Sequence, residues 1–275
     1  MERDALKDTS RVVVKFGTGI LTNRSKQIDP RQIEQLVGQV ATQREAGREV
    51  IVVSSGAVGA GMGVLNMAKR PTDLSDLQAC AAVGQSALMS TYTELFAKHN
   101  LQVAQVLLTH DDLEDKDRHL NARNTLVSLL GKDVVPIVNE NDAVSYTELK
   151  FGDNDWLAAL VSCLLPADLL VILTTVDGLV ENFGKKNPRT IPVVEKIDAK
   201  IQKLAGGSLS ATAVGGMDAK IRAAKMTART GIPLVIASGK KKRAIANVID
   251  GREEGTFFVP RAGKLKGRKR WIAFF

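Results

Sequence analysis

The segment VIVVSSGA, residues 50–57, is the strongest indication of the fold class, because a continuous apolar run passes directly into a turn of small residues. An uninterrupted run rich in β-branched residues is typical of a strand buried on both faces of a parallel sheet. Upstream, Asp29 and Pro30 predict the N-cap and first turn of a helix that Gly47 ends. With a short strand at residues 11–15, these segments form a strand–helix–strand unit.

The same alternation continues along the chain and predicts a three-layer α/β/α sandwich with a mainly parallel central sheet. Further strands are predicted at residues 101–108, 134–138, 169–173 and 233–237, with an edge strand at 256–259. Further helices are predicted at residues 77–96, 120–130, 155–165 and 216–230, an extended segment at 146–151 and a loop at 182–192. We expect one domain over residues 1–260, followed by a basic extension at 261–275.

Composition limits the class of protein. The chain has 275 residues, 44% hydrophobic and 25% charged, which is ordinary for a globular core. No apolar run reaches the ~18–20 residues that span a bilayer, and the charged N-terminus lacks an apolar signal segment. Cys80 and Cys163 are expected to be buried free thiols. These features predict a cytoplasmic protein that does not bind membranes.

The net charge of +8 is concentrated in two basic segments, residues 240–243 and 261–270. Such segments are either solvated surface or part of a nucleic-acid interface. No aromatic residue interleaves with them before Trp271, which disfavours stacking on bases. An RNA-binding role for the basic tail therefore stays an alternative to an enzymatic one.

Two polar clusters follow extended segments: NEND at residues 139–142 and GDND at residues 152–155. Carboxylates and carboxamides crowded at the end of a buried strand are costly unless a ligand or counter-charge meets them. Turn formation and helix capping are the alternative explanation for each cluster. Because ligands bind at the carboxyl ends of parallel strands, the two clusters together predict a site there.

Other strand ends carry groups suited to anions. Lys15 follows a buried strand beside glycines, and Gly215-Gly216 opens a helix that has Lys220 one turn in. Glycine amides, helix N-termini and lysines all bind phosphate. Thr174 and Thr175 end another strand, where they either line a nucleotide pocket or form a turn. Together with the acidic clusters, these groups predict phosphoryl transfer to a small charged acceptor.

The full set of motifs resembles the amino acid kinase family. The motifs, in order, are VVVKFGTG, VVSSGAV, ACAAVGQSALM, LNARNTL, VPIVNENDAV, FGDND, ILTTVDGL and VGGMDAK. NENDAV with GDND is specific for the branch of the family that phosphorylates glutamate. The resemblance extends over nearly the whole chain.

The resemblance implies transfer of the γ-phosphoryl group of ATP, with Mg²⁺, to the γ-carboxylate of L-glutamate, the first step of proline biosynthesis from glutamate. It also implies a reductase as pathway partner, proline as feedback inhibitor and a homo-oligomer, a dimer or a tetramer. The acidic NEND cluster favours an acceptor with a free α-ammonium over an N-acetylated one. Acetylglutamate, aspartate or carbamate kinase activity stays open, as does a catalytically silent regulatory role.

Residue roles carry over motif by motif. The catalytic residues implied are Lys15 and Lys220, with Asp155 orienting the two lysines. The glutamate-binding residues implied are Ser55, Gly56, Asp142, Asp153 and Asn154. The ATP-binding residues implied are Lys15, Thr174, Thr175, Gly215, Gly216, Met217 and Lys220. No metal ligand is assigned.

Two features depart from the family pattern. Members commonly have Thr-Asp where this chain has Thr174-Thr175, so one nucleotide contact is in doubt. Many bacterial members continue into a PUA domain, an RNA-binding-type module. The basic extension resembles the segment leading into that domain, so we expect no PUA domain in this sequence, which is either a naturally short form or a truncated chain.

Overall fold

The computed structural model describes residues 1–23, 27–145, 154–205 and 216–261. The strands are β1 (Arg11–Phe16), β2 (Glu49–Ser54), β3 (Val103–Leu108), β4 (Val135–Glu140), β5 (Leu169–Thr174), β6 (Val180–Glu181), β7 (Arg189–Thr190), β8 (Val193–Val194), β9 (Leu234–Ser238) and β10 (Thr256–Phe258).

A 3₁₀ helix (Arg3–Asp8) precedes β1. The α-helices are α1 (Thr18–Leu21), α2 (Pro30–Glu45), α3 (Ala57–Val64), α4 (Leu74–Ala97), α5 (His110–Glu114), α6 (Lys116–Gly131), α7 (Asn154–Leu164), α8 (Ala199–Ala205), α9 (Met217–Arg229) and α10 (Ala244–Ile249). Within the described ranges, none of these helices is long and apolar enough to cross a membrane.

One sheet organises the chain, with strand order β3-β4-β2-β1-β5-β9-β10-β8. The first six strands are parallel, and β10 runs antiparallel to β9. The carboxyl ends of parallel strands lie along the same side of a sheet, which we call its carboxyl edge, so the ends of β1, β2, β4 and β5 lie close together there. The predicted three-layer sandwich with a mainly parallel sheet is confirmed.

Two hydrophobic cores lie on opposite faces of the sheet. Val13 belongs to the core that α6, α7 and α9 cover, whereas Val12 and Val14 belong to the core that α2, α4 and α10 cover. Side chains alternate between faces along a strand, so Lys15 points to the same face as Val13. The alternation therefore directs the Lys15 ammonium towards α7 and α9.

The predicted N-cap and first-turn residues of α2 are confirmed. The Asp29 carboxylate accepts a hydrogen bond from the Arg31 backbone N–H, and Pro30 occupies the first helical position. Gly47 has φ +79°, the left-handed conformation that follows many helix ends. Cys80 and Cys163 are buried free thiols, as expected.

Three expectations need correction. Residues 256–259 do not form an edge strand, because β10 pairs with β9 on one side and with β8 on the other. The predicted loop at 182–192 contains β7, which pairs with β6. The strand before the NEND cluster does not stop at residue 138, since β4 runs on through Glu140. The predicted extended segment at 146–151 and residues 262–275 of the basic extension lie outside the described residues, and the boundary between 260 and 261 stays a prediction.

Candidate active site

Two buried lysines share one buried carboxylate at the carboxyl edge of the sheet. Lys15 Nζ lies 2.7 Å from Asp155 Oδ1, and Lys220 Nζ donates a hydrogen bond of 2.9 Å to Asp155 Oδ2. The exposed fractions are 4% for Lys15, 5% for Lys220 and 0% for Asp155. Two ammonium groups held close together at the carboxyl ends of the strands are suited to contact an anion such as a phosphoryl group.

Three separate elements bring these side chains together. Lys15 lies one residue before the end of β1, Asp155 is the second residue of α7, and Lys220 lies one turn into α9. The Gly17 backbone beside Lys15 is close to the ammonium, since a Cβ at Gly17 would lie 3.7 Å from Lys15 Nζ. The structure thus assembles the three residues implied for catalysis around one point.

The electrostatics of Asp155 follow from burial and from its two partners. Burial by itself raises the pKa of the Asp155 carboxyl, because it penalises the charged form. The Coulomb attraction of Lys15 and Lys220 and their hydrogen bonds outweigh this effect and hold the pKa below its usual value. Asp155 is therefore ionised at neutral pH and keeps both lysines in place.

This lowered pKa predicts a stability contribution that disappears in acid. A carboxyl whose pKa is lower in the folded state stabilises the fold fully above the unfolded-state value, about 4, and loses that contribution as pH falls through the folded-state pKa. We expect the gap in unfolding free energy between wild type and Asp155→Asn to be constant above about pH 5 and to narrow below about pH 4. Urea unfolding at several pH values measures it, and a gap that stays constant down to pH 3 contradicts the prediction.

Asn154 connects α7 to the end of β2. Its Nδ2 donates to the backbone carbonyl of Ser54 at 2.7 Å, to Ser55 Oγ at 3.0 Å and to Asn139 Oδ1 at 2.8 Å. Ser55 and Asn154, both implied in glutamate binding, are thus in direct contact. Asn139, on β4, is buried and carried no assigned role in the sequence analysis.

Two glutamines continue this set of hydrogen bonds and were missed from the sequence. Asn139 Nδ2 donates to Gln85 Oε1 at 2.8 Å, and Gln85 Nε2 donates to Gln105 Oε1 at 3.1 Å. The only sequence signal for Gln85 is its place in ACAAVGQSALM, where a long amide interrupts small apolar residues. We call Gln105, Gln85, Asn139 and Asn154 the amide network.

A cavity of about 340 Å³ lies beside the amide network. Gln85 and Gln105 line one part of it, and Glu140, Asn141 and Asp142 line another. The half-buried Asp142, implied in glutamate binding, therefore borders this cavity. Acidic and amide side chains around a cavity of this size suit a small ligand that carries an ammonium group.

The turn after β2 depends on Gly56. This residue has φ +99° and occupies the N-cap position of α3. Only glycine adopts that conformation without strain, and it lets the chain turn from the strand directly into the helix. Because Ala57 in the first turn of α3 also lines the cavity, Gly56 shapes its wall without contributing a side chain.

The residues implied in nucleotide binding lie at the same edge. Thr174 is half-buried at the end of β5, its carbonyl accepting from the Gly239 N–H at 2.9 Å, and Thr175 is exposed. Gly216 is the N-cap of α9 without a side-chain cap, and Met217 begins that helix. Uncapped first-turn N–H groups suit a phosphate. Gly215 and Asp153 lie outside the described residues.

One basic segment is partly neutralised. Lys241 Nζ lies 2.7 Å from Glu254 Oε1 and 3.5 Å from Asp177 Oδ1. The carboxylates also raise the pKa of Lys241, chiefly through the hydrogen bond to Glu254. This lysine is committed to internal partners, which weakens the 240–243 segment as a nucleic-acid interface.

Solved structures share the fold at low sequence identity. A carbamate kinase from Giardia lamblia bound to AMP-PNP superposes with a TM-score of 0.66 at 19% identity, over 92% of this chain and 99% of that one. A UMP kinase from Bacillus anthracis superposes with a TM-score of 0.62 at 13% identity, over 94% and 99%. At such identities the likeness shows the fold alone.

Sequence relatives are much more similar. The glutamate 5-kinase of Pelobacter propionicus is 44% identical over all of this chain and 74% of the relative's length. Those of Methylococcus capsulatus and Moorella thermoacetica are 45% and 46% identical, over 98% and 99% of this chain and 73% and 72% of theirs. The model of the amino acid kinase family matches residues 10–238. The chain therefore belongs to the amino acid kinase family, in which these relatives are glutamate 5-kinases.

Proposed function

We propose that this protein is an ATP-dependent kinase that phosphorylates the γ-carboxylate of L-glutamate. The observation that carries the proposal is the buried Lys15–Asp155–Lys220 group. Asn154, the neighbour of Asp155, is linked by hydrogen bonds through Asn139 to Gln85, which lines a cavity with acidic and amide side chains. The glutamate 5-kinases at 44–46% identity support the choice of acceptor within the family.

The chemistry needs positioning and charge neutralisation rather than a general base. The glutamate γ-carboxylate is already ionised, and its oxygen attacks the γ-phosphorus of ATP. The bond from that phosphorus to the β–γ bridging oxygen breaks, and ADP leaves with the electron pair. Lys15 and Lys220 neutralise charge on the transferring group, since phosphoryl transfer depends on alignment and electrostatic stabilisation. Asp155 keeps the two ammonium groups in place.

The α-ammonium end of the acceptor is suited to the cavity. Asp142 supplies a carboxylate for an α-ammonium group, and an N-acetylated acceptor would lose that attraction. Glutamate is accordingly favoured over N-acetylglutamate.

Mg²⁺ fits the site as part of the nucleotide substrate. In the described ranges, no group of three or more His, Cys, Asp or Glu side chains could hold a metal ion by itself. Mg²⁺ keeps several waters and is bound mainly through substrate phosphates with one or two carboxylates, so the residues present are compatible with a Mg²⁺–ATP complex. The ion adds positive charge on the phosphates when it is bound.

A trapping assay tests the acceptor directly. The product, γ-glutamyl phosphate, is an acyl phosphate that hydroxylamine converts to a hydroxamate. With Mg²⁺ and ATP, we expect hydroxamate from L-glutamate and little from N-acetylglutamate or aspartate. Hydroxamate from another acceptor instead would move the protein to a different branch of the family. No hydroxamate from any acceptor, with folded protein, would contradict kinase activity.

Lys15→Ala and Lys220→Ala are each expected to lower kcat by about 10²–10³, because each removes one ammonium group that neutralises charge on the transferring phosphoryl group. Asp155 keeps one ion pair in either variant, so both should remain folded. Lys132→Ala is the matched control, since this exposed lysine lies between α6 and β4 at the opposite edge of the sheet. The hydroxamate assay with circular dichroism measures both effects, and kcat within threefold of wild type in either active-site variant argues against that lysine's role.

Cytoplasmic location, proline inhibition, a homo-oligomer and a reductase that consumes the acyl phosphate stay predictions from the resemblance. The reactivity of an acyl phosphate towards water is the chemical reason for expecting an enzyme that uses it promptly.

A further inference from the structure

The pair Ser54–Ser55 at the end of β2 is held from both faces of the sheet. On one face, the Ser54 carbonyl and Ser55 Oγ accept hydrogen bonds from Asn154 Nδ2 on α7, at 2.7 and 3.0 Å. On the other face, Ser54 Oγ lies 2.8 Å from the hydroxyl of Tyr92 on α4. Alternation along β2 explains this arrangement, because the Ser54 side chain points to the same face as Val52, in the core that contains Tyr92.

The hydrogen bonds on the α4 face have a defined direction. Ser54 Oγ donates to the Ser55 carbonyl oxygen at 3.1 Å, and a serine hydroxyl has one hydrogen to donate. The Tyr92 hydroxyl is therefore the donor to Ser54 Oγ. Burial raises the pKa of the Tyr92 hydroxyl above its usual value, so the group stays protonated and able to donate across the neutral pH range. The series that starts at Tyr92 thus ends on the peptide group that joins Ser55 to Gly56.

That peptide group belongs to the turn that forms part of the candidate acceptor site. The Ser55 N–H still bonds to the neighbouring strand, donating to the Phe16 carbonyl at 3.2 Å, and the chain then leaves the sheet through Gly56, which has φ +99°. Because Ser54 and Tyr92 are both 0% exposed, solvent does not reach the pair. Without the Tyr92 hydroxyl, the buried Ser54 hydroxyl loses its donor and is free to rotate away from the Ser55 carbonyl, so the turn loses a restraint next to the Ser55 side chain.

We propose that Tyr92 is a positioning residue for the acceptor site, which holds the Ser54–Ser55 turn from the face opposite Asn154. This inference rests on the proposed function and deepens it, since Ser55, Gly56 and Asn154 are residues implied in glutamate binding. Tyr92 is fully buried, so it acts through its hydrogen bond to Ser54 and not by contact with a ligand. The long helix α4 thereby supports the acceptor site from the opposite layer of the sandwich.

Three variants separate the hydrogen bond from packing. Tyr92→Phe removes the donor and keeps the aromatic ring, whose centroid lies 6.3 Å from that of Phe96. Ser54→Ala removes the acceptor and keeps the backbone carbonyl that Asn154 uses. The double variant completes a double-mutant cycle, in which the second substitution adds nothing if both residues act through one hydrogen bond.

The experiment measures kcat, the KM values for L-glutamate and ATP, and the melting temperature of each variant. We expect KM for glutamate to rise about fivefold in Tyr92→Phe, in Ser54→Ala and in the double variant alike, with kcat and KM for ATP within twofold of wild type. Thr230→Val is the matched control, because it also removes a fully buried hydroxyl, one that donates to the Thr227 carbonyl at 2.9 Å, at the end of α9 far from the site. It should lower the melting temperature and leave both KM values within twofold.

Several outcomes would overturn the proposal. KM for glutamate within twofold of wild type in either Tyr92→Phe or Ser54→Ala, or raised equally in Thr230→Val, would show that Tyr92 acts only through packing. Equal rises in KM for glutamate and for ATP would indicate a general loosening of the fold, and a double variant whose effect is the product of the two single effects would show that the residues act independently. If Tyr92→Phe does not fold, Ser54→Ala decides by the same criterion. Failure of the proposed function is distinct, because wild type itself would then form no hydroxamate from glutamate.

Discussion

Asp155→Asn is expected to lower kcat by about 10²–10³ and the free energy of unfolding by about 3–5 kcal/mol. Asparagine has nearly the same shape, so the effect comes from charge. Its single carbonyl oxygen can accept a hydrogen bond from Lys15 or from Lys220. Its NH₂ group then faces the other ammonium group, and because both groups are donors, no hydrogen bond forms between them. Two buried positive charges are then left without their shared carboxylate, and both move away from the transferring phosphoryl group.

Denaturant unfolding and the hydroxamate assay measure these two effects on the same preparations. Glu34→Gln is the control, because it also removes the carboxylate of a lysine ion pair, with Lys98, but both side chains are exposed. It should change neither kcat nor stability measurably, since exposed ion pairs contribute little. Asp155→Asn that retains a tenth or more of wild-type kcat would show that the lysines do not need this carboxylate.

Part of the site could be predicted from the sequence. Lys15, Asp155 and Lys220 stand at the ends of predictable elements, and parallel strands place such ends at one edge. Their polar character in apolar surroundings already marks them as unusual. What the sequence could not supply is that the three share one buried point, because Asp155 and Lys220 are 65 residues apart and meet only through the packing of α7 on α9.

The amide network was hidden for a different reason. Gln85 and Asn139 are 54 residues apart, and a glutamine within a helix ordinarily faces solvent. Periodicity indicates that a helix forms, but it does not show that a glutamine of this helix hydrogen-bonds to side chains on two strands of the sheet. The polar cluster after β4 suggested a ligand site, whereas Asn139 itself bonds to neighbouring protein amides.

Short strands such as β8 and β10, at one end of the strand order, are difficult to predict from sequence patterns. The sequence predicts an edge strand at residues 256–259, whereas β10 has a neighbour on each side. The actual neighbour, β8, is two residues long, and a pair of valines has no readable periodicity. By contrast, β1, β2 and α2 carry long apolar patterns or capping residues, and these were placed within one or two residues.

Gly84→Ala is expected to destabilise the fold by about 3 kcal/mol and to lower affinity for glutamate, because the backbones of α3 and α4 approach each other closely at this glycine. A Cβ at Gly84 would lie 1.9 Å from the Ala57 carbonyl oxygen and 2.2 Å from the Gly61 nitrogen. A Cβ at Gly61 would in turn lie 1.8 Å from the Cys80 carbonyl oxygen. Neither backbone can yield without moving a helix, so the added methyl group must push α3 away from α4.

That movement would reach the site, because α3 begins directly after the Ser55–Gly56 turn and Ala57 lines the cavity with Gln85. Gly38→Ala is the matched control: Gly38 lies inside α2, and nothing lies within 4 Å of an added Cβ. It should stabilise the protein by about 0.5–1 kcal/mol, since alanine favours a helix interior over glycine. In thermal unfolding, we expect the melting temperature to fall in Gly84→Ala and to rise in Gly38→Ala, relative to wild type. Equal stability of Gly84→Ala and wild type would mean that α3 is not fixed by this contact, and that the cavity wall it forms is adjustable.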